Sequence, residues 1–371
     1  MVIVRFEDVV KRININVDRH NTDRLYYVGG EHIESEEFMI HDKGLIKGST
    51  IGYKFHYGFN PGHILFMSRN PHLRKASMVD FEGICSDSTY VVETKDESIL
   101  LQDYLLIEMQ SDRFWNWMEE HKTGGVNYLI NYRTLNQYKF ELPPIEKQKV
   151  LAEKLWAAYR LKESYKRLLA ATDEMVKSRF IEMFGDKVPK KKILEVCDVR
   201  GGSTPTRTTK EYWDNGTVSW FTVEDIYEQG RYISETKQHI TELATKKCFV
   251  YPTDTVLICC TASVGEYAIT KKEMASNQQF NGMMIKDKTE LHPEYLLYVA
   301  STLKDDLLRQ AGKTTINFVS RSKLEDIEIP VPPYSEQLKF VTVYQQADKS
   351  KFELRKSIEA IDAVIKSLIN N

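Results

Sequence analysis

The sequence has 371 residues, with 51 Lys and Arg against 53 Asp and Glu, a formal net charge of −2. That length predicts two to three domains with real cores. The near-neutral charge does not mark a free-standing nucleic-acid binder, which is usually basic, but it leaves room for partners that supply phosphate contacts. No apolar run approaches the roughly 18 residues of a membrane span, and Met1-Val2-Ile3-Val4-Arg5-Phe6 lacks a signal-peptide layout. A cytoplasmic protein without membrane association is expected. Cys85, Cys197, Cys248, Cys259 and Cys260 show no C-x-x-C spacing, which argues against a structural zinc site or a disulfide framework. Cys259 and Cys260 read as buried strand thiols.

In chain order, residues 1–141 carry short β-like runs, such as Ile64-Leu65-Phe66-Met67 and Tyr90-Val91-Val92, among Gly, Asn and Ser turns. A helix is predicted from Leu100 to His121. Leu142-Pro143-Pro144-Ile145-Glu146-Lys147-Gln148 then opens a proline-free segment running to about Phe184. Its apolar residues, Leu151, Leu155, Ala158, Leu161, Tyr165, Leu168, Leu169, Met175 and Val176, recur at helical spacing and predict one apolar stripe. Lys187-Val188-Pro189-Lys190-Lys191-Lys192 reads as a solvated basic linker. The second block, about 187–330, repeats the mixture, with a strand at Val256-Leu257-Ile258 and a helix from Pro293 to Ala311. Val331-Pro332-Pro333-Tyr334-Ser335-Glu336-Gln337 opens a second long helix, with its stripe at Tyr344, Ala347, Leu354, Ile358, Ile361, Ile365 and Leu368.

These helices are copies of each other. An offset of 189 residues carries Pro143 to Pro332, Gln148 to Gln337, Ala158 to Ala347, Lys162 to Lys351, Asp173 to Asp362, Lys177 to Lys366 and Ser178 to Ser367. It also superposes the seam positions Leu155 on Tyr344, Leu169 on Ile358 and Val176 on Ile365. Lysine interrupts both seams at the same place, a polar device that can fix register. Each Pro-Pro pair stops a strand and starts a helix. The blocks correspond more weakly: Tyr27–Ile33 with Trp220–Ile226, Pro61–Leu65 with Pro252–Val256, and Ser86–Tyr90 with Ser276–Phe280. The expected fold is α+β, two mixed α/β heads joined by two long helices that form an antiparallel coiled coil. Its segments are a head at 1–141, a central helix at 142–186, a head at 187–330 and a C-terminal helix at 331–371. At 1.5 Å per residue, a helix of about 40 residues is a rod of roughly 60 Å.

Motifs for catalysis are missing. Ala311-Gly312-Lys313-Thr314-Thr315 resembles the end of a phosphate loop, but Leu307 stands where its first glycine belongs. Val331-Pro332-Pro333-Tyr334 starts with valine where an amino-methyltransferase motif needs a side-chain acceptor, and no glycine-rich cofactor loop accompanies it. Asp80 or Asp87 with Glu93-Thr94-Lys95 mimics a nuclease constellation, yet solvated strand ends explain it better in so charged a chain. No metal, cofactor or catalytic residue is expected.

The second head reads Val199-Arg200-Gly201-Gly202-Ser203-Thr204-Pro205-Thr206-Arg207, then Glu211-Tyr212-Trp213-Asp214-Asn215-Gly216 and Val218-Ser219-Trp220-Phe221-Thr222-Val223-Glu224-Asp225-Ile226. Thr236-Lys237-Gln238-His239-Ile240-Thr241, Asn277-Gln278-Gln279-Phe280, Thr314-Thr315-Ile316-Asn317 and Leu324–Pro333 follow. In that order and spacing the chain resembles the specificity subunit of type I restriction-modification systems. The first head departs from the pattern in lacking a Gly-Gly-x-x-Pro opening.

The resemblance implies that each head is a target recognition domain reading half of a bipartite, asymmetric DNA site. It implies that the paired helices set the half-site spacing and dock two methyltransferase subunits, with restriction subunits joining the full complex. Candidate DNA contacts are Ser203, Thr204, Thr206 and Arg207 in the Gly-Gly loop, followed by Thr261, Ser263, Gln278, Thr314 and Asn317. In the first head they are Arg69, Asn70, Arg74, Lys75 and Asn127. The competing readings are a stand-alone nuclease or methyltransferase, and a coiled-coil adaptor joining two protein-binding heads.

Overall fold

The computed structural model describes residues 2–125, 127–185, 188–310 and 318–370. It divides into two compact units, Met1–Arg167 with Leu354–Asn371, and Leu168–Glu353. None of the described helices is long and apolar enough to cross a membrane.

In the first unit, Val2–Arg5 pairs antiparallel with Lys139–Leu142, closing the head where the chain leaves it. One sheet has the order Val10–Ile13, Thr89–Thr94, Ile64–Met67, Ala76–Met78. A second has the order Ile15–Asn16, Phe55–Phe59, Gly83–Ser86, Tyr26–Val28, Gly44–Leu45, and pairs Tyr26–Val28 with Gly83–Ser86 in parallel. The second unit has a related plan, with a fifth strand added in parallel at the edge of the first sheet and one strand fewer in the second. Its first sheet runs Cys197–Gly201, Phe280–Ile285, Val256–Cys259, Tyr267–Thr270, Tyr232–Ile233. Its second runs Gln238–Ile240, Val218–Phe221, Met274–Ser276, Val250–Tyr251, again with one parallel pair, Val218–Phe221 with Met274–Ser276. Val256–Cys259 is apolar and buried throughout, as befits a strand hydrogen-bonded on both edges and covered on both faces. Cys259 and the adjoining Cys260 are buried free thiols, and desolvation pushes Cys260 up to about 11.

The strand registers correct the head-to-head alignment by one residue. Tyr90 opposes Phe66 and Asn281 opposes Ile258, each partner being the third residue of its strand. Tyr90 therefore corresponds to Asn281 rather than Phe280. Successive strand residues face opposite ways: Tyr90 packs in the core containing Phe66 and Trp115, whereas Phe280 packs with Phe221 and Tyr251.

Both head helices break in the middle. The first is Gln102–Gln110 then Asp112–Glu120, because Ser111 is extended (φ −71°, ψ 150°) and its Oγ accepts from Phe114 N at 3.2 Å to cap the second piece. The second is Pro293–Thr302 then Lys304–Gln310. The basic stretch is not merely solvated. Lys190–Lys192 pairs with Glu328–Pro330, Lys191 bonds Glu290, and Lys192 Nζ lies 2.8 Å from Asp326 Oδ1.

The long helices span Ile145–Phe184 and Tyr334–Asn370. Within the first unit, Ala152, Leu155 and Tyr159 share a core with Ile365 and Ile369, and Lys162 Nζ meets Asp362 Oδ1 at 2.7 Å. Within the second, Val176 and Phe184 share a core with Phe340, Tyr344 and Ala347, and Lys351 Nζ meets Asp173 Oδ1 at 2.8 Å. The start of each helix thus lies beside the end of the other, and the two run antiparallel. The seam lysines are ion-paired, each to the other helix's repeat-related aspartate. The expected stripe is partly wrong: Leu161, Leu168 and Met175 are 44, 51 and 47% exposed and face outward.

Gln148 and Gln337 seat the helices on the heads, both with no exposed surface. Gln148 Oε1 accepts from Leu101 N at 3.0 Å, and its Nε2 donates to the carbonyls of Ile99 and Pro143, each at 2.9 Å. Gln337 Oε1 accepts from His292 N at 2.8 Å, and its Nε2 donates to Glu290 O at 2.7 Å and Pro332 O at 2.8 Å. Truncating either amide strands buried backbone groups, so Gln148→Ala or Gln337→Ala is expected to cost about 2–4 kcal/mol in urea unfolding. Lys351→Met, which removes a charge from a half-exposed pair, should change stability by no more than about 1 kcal/mol. Equal effects of the two kinds of change would contradict this ranking.

Candidate nucleic-acid interface

In the second head, four chain segments meet around the Gly-Gly loop. Gly202 N donates to Phe280 O, Ser203 N to Ser276 O, Asn277 N to Phe221 O and Cys260 N to Gln279 O. A Cβ on Gly202 would stand 2.1 Å from Asn277 O and 2.2 Å from Ser276 Oγ. The glycine thus permits close approach of two backbones within the head. On Gly201 the nearest atom would be Asn281 Oδ1, at an ordinary 3.4 Å.

The loop's side chains are held before any ligand arrives. Ser203 Oγ donates to Lys247 O at 3.0 Å, and Thr204 Oγ1 donates to the Gln278 amide oxygen. The Arg207 guanidinium lies 3.8 Å from the Trp213 ring centroid and 4.5 Å from that of Trp220, and donates to Gln238 Oε1 at 2.7 Å. Desolvation beside these rings lowers the guanidinium's pKa, and it remains a cation. Trp213 Nε1 donates to Thr206 O at 3.2 Å and Trp220 Nε1 to Ser203 O at 3.4 Å, so the two indoles brace both ends of the loop. The sequence placed neither tryptophan in the site; their proximity to Arg207 is a product of folding. Gln278 is exposed at the tip of the neighbouring turn, while Thr261 and Ser263 are half-buried on the adjoining one. Thr314 and Asn317 lie outside the described residues.

In the first head the candidates divide. Arg74 is tied to Glu36 Oε1 at 2.9 Å and to Asp112 Oδ1 at 2.6 Å, and these carboxylates raise its pKa against the opposing effect of desolvation. Lys75 Nζ donates to Gly30 O at 2.6 Å. Both are engaged in holding the head together. Arg69 is exposed and has no carboxylate partner among the described residues. Asn70, in the left-handed region at φ 53°, donates its N–H to Tyr128 O at 3.0 Å. Asn127 is exposed beside it, one residue from Tyr128. The nuclease-like carboxylates do not converge: Glu93 pairs with Lys11 at 3.1 Å, Asp87 lies 3.8 Å from Lys54, and Lys95 Nζ donates to Glu7 O at 2.6 Å.

The model of the type I restriction modification DNA specificity domain matches residues 9–171 and again 186–362. The chain belongs to this family. Each of the two specificity domains takes in one head and much of one long helix. The type I restriction enzyme MjaIX specificity subunit of Methanocaldococcus jannaschii is 34% identical over 209 residues, covering 53% of this chain and 48% of that one. The EcoprrI specificity subunit of Escherichia coli is 28% identical over 142 residues, covering 38 and 35%. Measured by these alignments, the chain spans about half the length of the curated relatives it matches, or less. In fold, the S subunit of the type I restriction-modification system from M. genitalium superposes with a TM-score of 0.63 at 12% identity, over 99% of this chain and 94% of that one.

The packing around the second specificity domain's loop gives a test. Gly202→Ala should destabilise by roughly 1–3 kcal/mol through overlap with Ser276 and Asn277, while Gly201→Ala stays near wild type. Equal melting temperatures for the two variants would contradict the packing described.

Proposed function

We propose that this chain is the DNA-specificity subunit of a type I restriction-modification complex and is itself non-catalytic. Each head reads one half of a bipartite, asymmetric double-stranded site. The central and C-terminal helices, taken as segments 142–186 and 331–371 between heads at 1–141 and 187–330, set the half-site spacing and dock two methyltransferase subunits. Restriction subunits complete the assembly. S-adenosylmethionine and ATP belong to those partners, and the complex acts on DNA in the cytoplasm.

The observation that carries this reading is the repeated family match on two heads with related strand plans and different exposed loop residues. Two different readers on one frame suit a site whose halves differ. Ser, Thr, Gln, Asn and Arg on the loops are the side chains that hydrogen-bond base edges, while phosphate contacts would fix register.

Two measurements test it. Cells expressing the chain with its methyltransferase partner should methylate one bipartite motif, and absence of any such motif would refute the reading. Removing four residues around Lys162 together with four around Asp362 shortens the paired helices by about 6 Å. The gap between half-sites should then shrink by about two base pairs at 3.4 Å each, and an unchanged gap would refute the spacing role.

A further inference from the structure

One loop is built identically in both heads and carries a different side chain in each. In the first head, strand Ile64–Met67 ends and Ser68 N donates to Ser88 O at 2.8 Å, while Ser68 O accepts from Ile130 N at 2.8 Å. In the second, strand Val256–Cys259 ends and Cys260 N donates to Gln279 O at 2.8 Å, while Cys260 O accepts from Val319 N at 2.9 Å. The next residue makes an isolated bridge in both: Arg69 with Leu129, and Thr261 with Phe318. The residue after it is left-handed in both without being glycine, Asn70 at φ 53° and Ala262 at φ 63°. For alanine that conformation costs energy, so the shared frame holds it in place.

We infer that Arg69 and Thr261 occupy one equivalent specificity-determining position, from which each head selects a base, and that Arg69 selects guanine. The inference rests on the DNA-reading role proposed above. A phosphate contact offers no reason for the residue to differ, because the backbone is the same in both half-sites; a base contact does. Arg69 is exposed, whereas its basic neighbours Arg74 and Lys75 are already bound within the head. A guanidinium donates a matched pair of hydrogen bonds to guanine O6 and N7 in the major groove, and no other base presents two acceptors there. Thr261 offers a short hydroxyl and a methyl group at the same place, suited to a different base.

The test maps methylated motifs in cells expressing the full chain and its methyltransferase partner, comparing wild type with Arg69→Gln, Arg69→Lys and Thr261→Arg. Arg69→Gln should relax one guanine of one half-site, or convert it to adenine, with discrimination at that base falling roughly tenfold or more. The other half-site and the gap should stay unchanged. Arg69→Lys should keep methylation but weaken that guanine preference, and Thr261→Arg should alter one base of the opposite half-site. An unaltered motif for both Arg69 variants would overturn the inference while leaving the specificity role standing. So would a uniform loss in Arg69→Gln that Arg69→Lys restores with the original motif, the mark of a phosphate contact. If wild type itself directs methylation to no bipartite motif, the specificity role and this inference fall together.

Discussion

The junction between each head and its long helix depends on a single buried amide. Gln148 and Gln337 each join a carbonyl of the Pro-Pro corner to two backbone groups preceding a head helix. A primary amide suits this task because it accepts at one end and donates twice at the other. The first turn of the long helix, the end of the closing strand and the approach to the head helix are thereby locked together. A less complete set of bonds would leave buried polar groups unpaired, so the junction is either fully formed or strongly disfavoured. Recognition loops held on a head would be of little use if that head swivelled on its helix.

The repeat was the most legible feature of the sequence, and the glutamines were already among its matched positions. The pairing of the helices followed from their shared seam, correctly at Leu155, Val176, Tyr344 and Ile365. It failed at Leu161, Leu168 and Met175, because seven-residue spacing generates an outward stripe as readily as an inward one. Only packing distinguishes them. The slip between Tyr90 and Phe280 has a similar origin, since one extra residue before a strand leaves its composition intact and reverses its faces.

The candidate interface was legible as a set of loops but not as individual roles. Arg74 and Lys75 looked like free cations because their partners Glu36, Asp112 and Gly30 lie 38 to 45 residues away in the chain. The indoles around Arg207 stand only 6 and 13 residues along the chain, but nothing in the loop's composition shows that it folds back to lay the guanidinium on them. The first head also lays an arginine on aromatic rings, with Arg12 4.7–5.5 Å from Tyr57, Tyr90 and Tyr132. It uses a different position from Arg207, so the heads share a type of interaction there without sharing its residues.

The crossed ion pairs have a consequence for how such a chain can diversify. Lys162 binds Asp362 and Lys351 binds Asp173, so each helix carries both halves of the same contact, the pattern of an isologous interface between identical subunits. In a symmetric dimer of one-headed chains, any change outside the contact would appear on both helices at once. Joining the copies in one chain removes that constraint. The outer face of one helix now shows Leu161 and Leu168 where the offset places Ser350 and Ser357 on the other. Covalent linkage thus leaves the two outward faces distinguishable, while the same lysine–aspartate contact recurs within each unit.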